Sequence, residues 1–355
     1  MRIGIYTQQL SNNYGGILQN YALQQVLKKM GHTPITLDYR PRTNYFWFLI
    51  SQLKTIFLII IGKKRPFGKY KKKQKRSCYT ASFIHKYIKT SWRMQFITPF
   101  VPGLLKIECA ITGSDQVWRP CYNTLSYSFL HFIKNKSVTK IAYAASFGVD
   151  FWEYSDMETK ECREWVKDFK AVSVREDSGV MLCKNYLNTN AIHVLDPTLL
   201  LSKEDYEQLC LDVSPISSKS FVAAYILDLN EEKEKVVRNI AEEKGLGYII
   251  ISAEKDINKT VEEWLSIFRD ADYIVTDSFH GTVFSIIFQK PFNVILNDKR
   301  GGGRFKSMLS LFCLEDRVIR DGLGSYKTEN IDWENIDSIL EEWKSKSINF
   351  LTKNI

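Results

Sequence analysis

The chain has 355 residues, 45% of them hydrophobic and 25% charged, with a formal net charge of +9. That length holds two cores, and the composition excludes disordered, collagen-like and disulfide-scaffold classes. A nucleic-acid partner is excluded by where the charge lies: no Asp or Glu occurs from Tyr39 through Ile107 against 16 Lys and Arg, so the other 33 basic residues face all 40 acids and the remainder is about −7.

The first residues enter a strand directly, Arg2 to Thr7, so no cleavable secretory signal is expected. Seven scattered cysteines without a C-x-x-C pair argue against disulfides or a zinc knuckle, and a reduced, cytoplasmic setting is expected with most cysteines as core filler. Helical spacing follows over Gly15 to Met30, stopped by Gly31, and then a strand over Thr33 to Tyr39. Tyr45 to Ile61 is strongly apolar but broken by Ser51, Gln52, Lys54 and Thr55. This is short and flawed for a membrane span, which wants about 20 apolar residues. Nine Lys and Arg between Lys63 and Arg76 follow it. Together, 45–76 has the two signals of an interfacial anchor on an anionic membrane, peripheral at the inner face. The alternative is a helix packed on its own domain with a solvated basic loop.

Strands Ile107 to Thr112, Lys140 to Ala145, Ala171 to Val174 and Ile192 to Leu195 alternate with helices Asp156 to Phe169 and Glu176 to Tyr186. After a polar linker, Leu211 to Ser220, alternation restarts with strands Phe221 to Leu227, Tyr248 to Ser252, Tyr273 to Thr276 and Phe292 to Leu296. Helices Glu231 to Lys244, Thr260 to Arg269 and Phe279 to Gln289 separate them, and a last helix covers about Asp332 to Lys346. The alternation predicts an α/β fold with mainly parallel sheets. The expected domains are 1–210, 211–325 and a terminal helix within 326–355.

Parallel sheets gather ligands beyond the carboxyl ends of their strands, where loops enter helices. The loop Ser11 to Gln19 carries Asn13, Tyr14, Gly15 and Gln19 and offers close backbone approach and unpaired N–H donors to an anion; the glycine pair also suits a plain turn. It lacks G-x-G-x-x-G spacing, so no dinucleotide cofactor is expected. Thr112 to Trp118 supplies Ser114, Asp115 and Gln116 for sugar hydroxyls and Trp118 for stacking on a ring; the alternative is an N-cap with Trp118 in the core. Arg175 ends a strand, where it can fork onto phosphate or carboxylate or pair with Glu176 or Asp177. Asp196, before Pro197, orients an Arg or His or makes a turn. Asp277, Ser278, His280 and Gly281 sit where a strand meets an apolar helix; His280 there is either an acid/base near an anion or a structural cap. Arg304, preceding a helix after Gly301 to Gly303, is a second anion fork, with Arg300 less favoured. No His, Cys and Asp cluster has metal-ligand spacing.

In this order, Asn13-Tyr-Gly-Gly-Ile-Leu-Gln, Gly113-Ser-Asp-Gln-Val-Trp, Tyr143-Ala-Ala-Ser-Phe-Gly, Ser173-Val-Arg-Glu, Leu195-Asp-Pro-Thr and Thr276-Asp-Ser-Phe-His-Gly resemble the polysaccharide pyruvyl transferase family over about residues 1 to 320. The resemblance implies two Rossmann-like domains facing across a cleft, GT-B-like, and transfer of the enolpyruvyl unit of phosphoenolpyruvate to a sugar. It implies Arg175, Arg304 and His280 as the functional trio, phosphoenolpyruvate as donor substrate without a further cofactor, and a glycan acceptor on a cell-surface polysaccharide or its polyprenyl-linked precursor. A GT-B nucleotide-sugar glycosyltransferase is the alternative enzyme, though the second domain shows no clear acidic motif for a ribose. A non-catalytic binding protein is a third class.

Overall fold

The computed structural model describes residues 1–39, 68–92, 100–252, 258–296, 302–319 and 330–355. Two all-parallel sheets organise them. The first has the order β2-β1-β3-β4-β5-β6, from β1 (Arg2–Tyr6), β2 (Thr33–Thr36), β3 (Cys109–Thr112), β4 (Thr139–Ala145), β5 (Ala171–Val174) and β6 (Ala191–His193). The second has the order β11-β10-β9-β7-β8, from β7 (Phe221–Ile226), β8 (Gly247–Ser252), β9 (Tyr273–Thr276), β10 (Phe292–Ile295) and β11 (Val318–Ile319). Strands such as Cys-Ala-Ile-Thr and Phe-Val-Ala-Ala-Tyr-Ile are buried at every position because helices cover both sheet faces. Cys109, Cys162, Cys183 and Cys210 lie in this core.

In each sheet the order reverses beside the first strand: β1 lies between β2 and β3, and β7 between β8 and β9. The loops leaving these strands therefore splay apart and leave a crevice. Helix α1 (Tyr14–Lys29) starts in the first crevice, capped by Asn13, whose Oδ1 accepts from Gly16 N at 3.1 Å. The two crevices face one another and open into a single cavity.

Several contacts hold the halves together. The Tyr14 ring stacks on Trp264 at 5.4 Å and its hydroxyl donates to the Lys259 carbonyl at 2.7 Å. Asp177 N donates to Ser307 Oγ at 2.9 Å. The terminal helix, Trp333–Asn354, packs Phe350 near Tyr143, receives the Leu195 N–H on Ser347 Oγ, and pairs Asp337 with Gln289 of the second half.

Several expectations are corrected. The terminal helix runs well past Lys346, because Ser347, Phe350 and Leu351 are buried against the first half. The basic run is helical from Gly68 within Gly68–Tyr87, rather than a loop. That helix docks through Phe83 and Tyr87 on Tyr21, and Thr80 donates to the Ser11 carbonyl. Arg304 lies inside the first turn of helix Gly302–Leu311 rather than before it. The two-residue strand β11 gave no readable periodicity. Residues 45–67 and Arg300 lie outside the described residues. Among the described residues, no helix is long and apolar enough to cross a membrane.

Candidate active site

The cavity measures about 640 Å3 and is walled by loops leaving β1, β3, β7 and β9, together with Arg304. Its organising group is Asp196, fully enclosed just beyond β6. Thr198 donates to its Oδ1 from the backbone (3.0 Å) and the hydroxyl (2.7 Å). Its Oδ2 accepts from Arg175 Nη1 at 2.7 Å and Ser114 Oγ at 2.9 Å, and faces His280 Nε2 at 3.8 Å. Burial pushes this carboxyl up, but Arg175 and His280 outweigh it and hold the group at about 2.

Arg175 comes from the end of β5 and lies one layer behind the cavity lining. Its Nε and Nη2 are buried without a hydrogen-bond partner among the described residues, the nearest carboxylate to Nη2 being Asp115 at 3.7 Å. Its guanidinium also sits 4.5 Å from the centre of the Phe279 ring. On the same ring, 5.4 Å from its centre, lies the Arg304 guanidinium. Both cations thus lie within cation–π distance of the one ring, which offsets part of their mutual repulsion. With its amide oxygen turned toward Arg304, Gln116 accepts from Nη2 at 2.7 Å. Burial, with repulsion from Arg175, lowers the Arg304 group to about 10, still charged at neutral pH.

His280 opens helix Phe279–Ile287, whose N-cap Ser278 accepts from Gly281 N at 3.3 Å. Glycine is required at 281 because a Cβ there would lie 2.2 Å from Thr276 Oγ1. The imidazole crosses to the first half: a Cβ on Gly15 would lie 2.0 Å from its Nδ1. So Nε2 turns inward toward Asp196, and Nδ1 lies over Gly15, where both residues line the cavity. Burial lowers the imidazole to about 4 despite Asp196, so it is neutral at physiological pH. Asn13 Nδ2 fixes Asp115 at 3.1 Å, placing that carboxylate at the cavity beside Arg175.

The structure thus gathers Asn13, Gly15, Asp115, Gln116, Ser278, His280 and Arg304 on the cavity wall, with Ser114, Arg175, Asp196 and Gly281 directly behind. Four expected substrate contacts are placed elsewhere. Trp118 is fully buried, stacked on Phe129 at 4.8 Å, and unable to face a sugar. Asp277 is taken by Leu227 N (2.6 Å) and Lys233 Nζ (2.6 Å), where it ties β7 to β9. Gln19 bonds Thr7 and the Gly16 carbonyl inside the first half, and Tyr14 belongs to the contact between halves. Sequence reasoning missed Phe279, which reads as the first apolar residue of a helix, and read Glu176 only as an alternative ion-pair partner of Arg175. The Glu176 Oε1 accepts from Phe147 N (2.8 Å) and Gly148 N (3.2 Å), burial raising its carboxyl against the pull of Arg175. The Phe147-Gly148 pair two loops away was the available signal. Among the described residues, no His, Cys, Asp and Glu side chains converge as a metal site.

The family model for polysaccharide pyruvyl transferase matches residues 13–299. No curated protein matches the chain significantly. Among solved structures, UDP-GlcNAc 2-epimerase from Methanocaldococcus jannaschii is 11% identical, covers 99% of this chain and 100% of its own, and superposes with a TM-score of 0.53. The S. aureus MnaA–UDP structure (11% identity, 96% and 87% coverage, TM-score 0.48) and Arabidopsis thaliana UGT89C1 with UDP (10%, 99% and 94%, 0.43) are further neighbours. The architecture is accordingly two parallel-sheet α/β domains facing across a cleft, GT-B-like.

Proposed function

The chain belongs to the polysaccharide pyruvyl transferase family, and from that premise we propose that it moves the enolpyruvyl group of phosphoenolpyruvate onto two hydroxyls of a sugar, forming a pyruvate ketal and releasing phosphate. The observation that carries this reading is the Arg175–Phe279–Arg304 stack beside His280. A donor bearing both a phosphate and a carboxylate needs two cations, and the two guanidinium groups that meet on the Phe279 ring supply them. Arg304 meets the donor at the cavity wall, and Arg175 offers its two unpartnered nitrogens from behind.

The proton balance suits a neutral imidazole. The diol loses two protons: one ends on the donor methylene, making the ketal methyl, and the other leaves with phosphate. The first C–O bond forms at the donor's second carbon; the bond from that carbon to the phosphate oxygen then breaks, and the second hydroxyl adds to the resulting oxocarbenium. His280 Nδ1 takes a hydroxyl proton and delivers it to the methylene, while Asp196 steadies the imidazolium in between. No cofactor or metal is invoked.

A nucleotide-sugar glycosyltransferase uses the same fold, but the described cavity wall of the second half, Tyr225, Leu227, Ser278, Phe279, His280 and Arg304, carries no carboxylate to grip a ribose. We further propose that 45–76 brings the enzyme to an anionic membrane surface at the cytoplasmic face, where a polyprenyl-linked acceptor would lie. The test is phosphate release from phosphoenolpyruvate dependent on acceptor, with mass spectrometry of the glycan. Release that proceeds without any acceptor gaining the ketal, or none across a broad panel of lipid-linked sugars, overturns the reading.

A further inference from the structure

The cations and the imidazole account for part of the cavity lining; another part, from the loops after β1 and β3, is built differently. It presents the amides of Gln8, Gln9, Asn12 and Asn123 and the ring of Tyr122. Gln8 and Asn123 both donate to the Gln116 carbonyl, at 3.1 and 2.8 Å, which fixes their amide orientation and keeps their own oxygens as acceptors. Asn12 Oδ1 is buried with no hydrogen-bond partner among the described residues, so it lacks a donor that a hydroxyl would provide. Tyr122 is 54% exposed although it lines the cavity. The Arg119 guanidinium lies 5.3 Å from its ring centre and covers one face, so the open area belongs to the other.

We propose that this wall is the acceptor subsite and that it takes an uncharged pyranose, stacked on Tyr122 and held through its hydroxyls by Asn12, Gln8 and Asn123. The inference rests on the pyruvyl transfer reading for the adjoining donor end. Stacking needs an aromatic face that is open yet rigid, and the Arg119 support supplies rigidity. Neutrality follows from charge. Arg119, the cation nearest Tyr122, is already paired bidentately with Glu153 at 3.0 and 3.2 Å, and no other described residue of this wall is cationic. A sugar carboxylate would lose water there and meet a cation already compensated by Glu153, whereas hydroxyls match amides. Tyr122 thereby takes the stacking role expected of Trp118, from the same loop.

Saturation-transfer NMR with methyl β-glucoside, methyl β-galactoside, methyl N-acetyl-β-glucosaminide and methyl β-glucuronide tests this, with calorimetry of phosphoenolpyruvate in parallel. Neutral glycosides should bind the wild type and Tyr122→Phe alike, bind Tyr122→Ala about tenfold more weakly, and lose affinity in Asn12→Ala. The glucuronide should give no signal at the same concentration, and the Kd of phosphoenolpyruvate should be the same in wild type and Tyr122→Ala. Binding of all four glycosides equally, binding indifferent to Tyr122→Ala, or no glycoside binding at all overturns the subsite. Neutral glycosides that bind as described to a protein that ignores phosphoenolpyruvate would support the subsite and defeat the donor reading instead.

Discussion

Gly15→Ala tests how two halves share one catalytic group. The added methyl would lie 2.0 Å from His280 Nδ1, 2.2 Å from Cγ and 2.7 Å from Cε1, against about 3.5–4.0 Å for an unstrained contact. Relief requires the imidazole, or the whole second half, to retreat by about 1.5 Å. The ring has little room, being edge-on to Phe279 at 5.3 Å and facing Asp196 on its other side. Misplacing a reacting group by about 1 Å costs on the order of 100-fold, so kcat for acceptor-dependent phosphate release should fall by about that factor. Ala gains roughly 0.5–1 kcal/mol over Gly within a helix against about 1–3 kcal/mol for the forced overlap, so the variant should melt modestly below the wild type while staying folded. In a His280→Ala background the obstacle is gone, and Gly15→Ala should leave the residual rate unchanged. Full activity of Gly15→Ala, or an equal loss in the His280→Ala background, would refute the contact.

Asp196, held at about 2 against an ordinary value of 3.8, contributes about 2 kcal/mol of stability; that contribution is complete above pH 4 and is lost as pH falls toward 2. Asp196→Asn should therefore flatten the acid limb of a denaturation-versus-pH curve between pH 4 and 2, as well as lower stability at pH 7. An acid limb of unchanged shape would contradict the pairing. Trp118→Ala should destabilise by about 3–5 kcal/mol, read by chemical denaturation, while the folded protein keeps its acceptor KM; a selective rise in KM without loss of stability would restore Trp118 to the binding site. Replacing the Lys and Arg of 63–76 by Gln should weaken binding to phosphatidylserine vesicles at least tenfold, at about 1 kcal/mol per charge, and unchanged sedimentation with vesicles would remove the membrane assignment. The NMR titration of the His280 ring should have its midpoint near 4; a midpoint near 6.5 would mean that water reaches the ring.

Which loops form the site was legible because α/β chains punctuate strand ends visibly: Asn13-Tyr-Gly-Gly, Gly113-Ser-Asp-Gln, Asp196-Pro and Ser278-Phe-His-Gly all interrupt apolar runs. What each side chain does within a loop was less legible, since that depends on partners far along the chain. Trp118 and Tyr122 lie on one loop and are both aromatic, yet the first finds Phe129 and Phe147 and is buried while the second stays open. Asp277 and Asp115 both follow a strand directly or nearly so. Two backbone N–H groups and Lys233 consume the one, while Asn13 turns the other toward the cavity. The basic helix was hidden because its charge pattern reads as solvation, and its described docking residues Thr80, Phe83 and Tyr87 follow the basic run.

His280 is contributed by the second half, while the carboxylate it faces, the glycine it lies over and one of its two neighbouring arginines come from the first. The proton-transfer geometry therefore exists only when the halves are closed on each other. Closure also has an electrostatic consequence. It buries a neutral imidazole beside Arg175 and Arg304, and both cations oppose its protonation. In the proposed reaction an anionic donor beside those arginines would offset that opposition, so that Asp196 and Asp115, which favour the imidazolium, would weigh more. In the proposed transfer, His280 would be a base toward the first hydroxyl and a competent acid toward the methylene only while the donor is bound, which would couple proton delivery to occupancy.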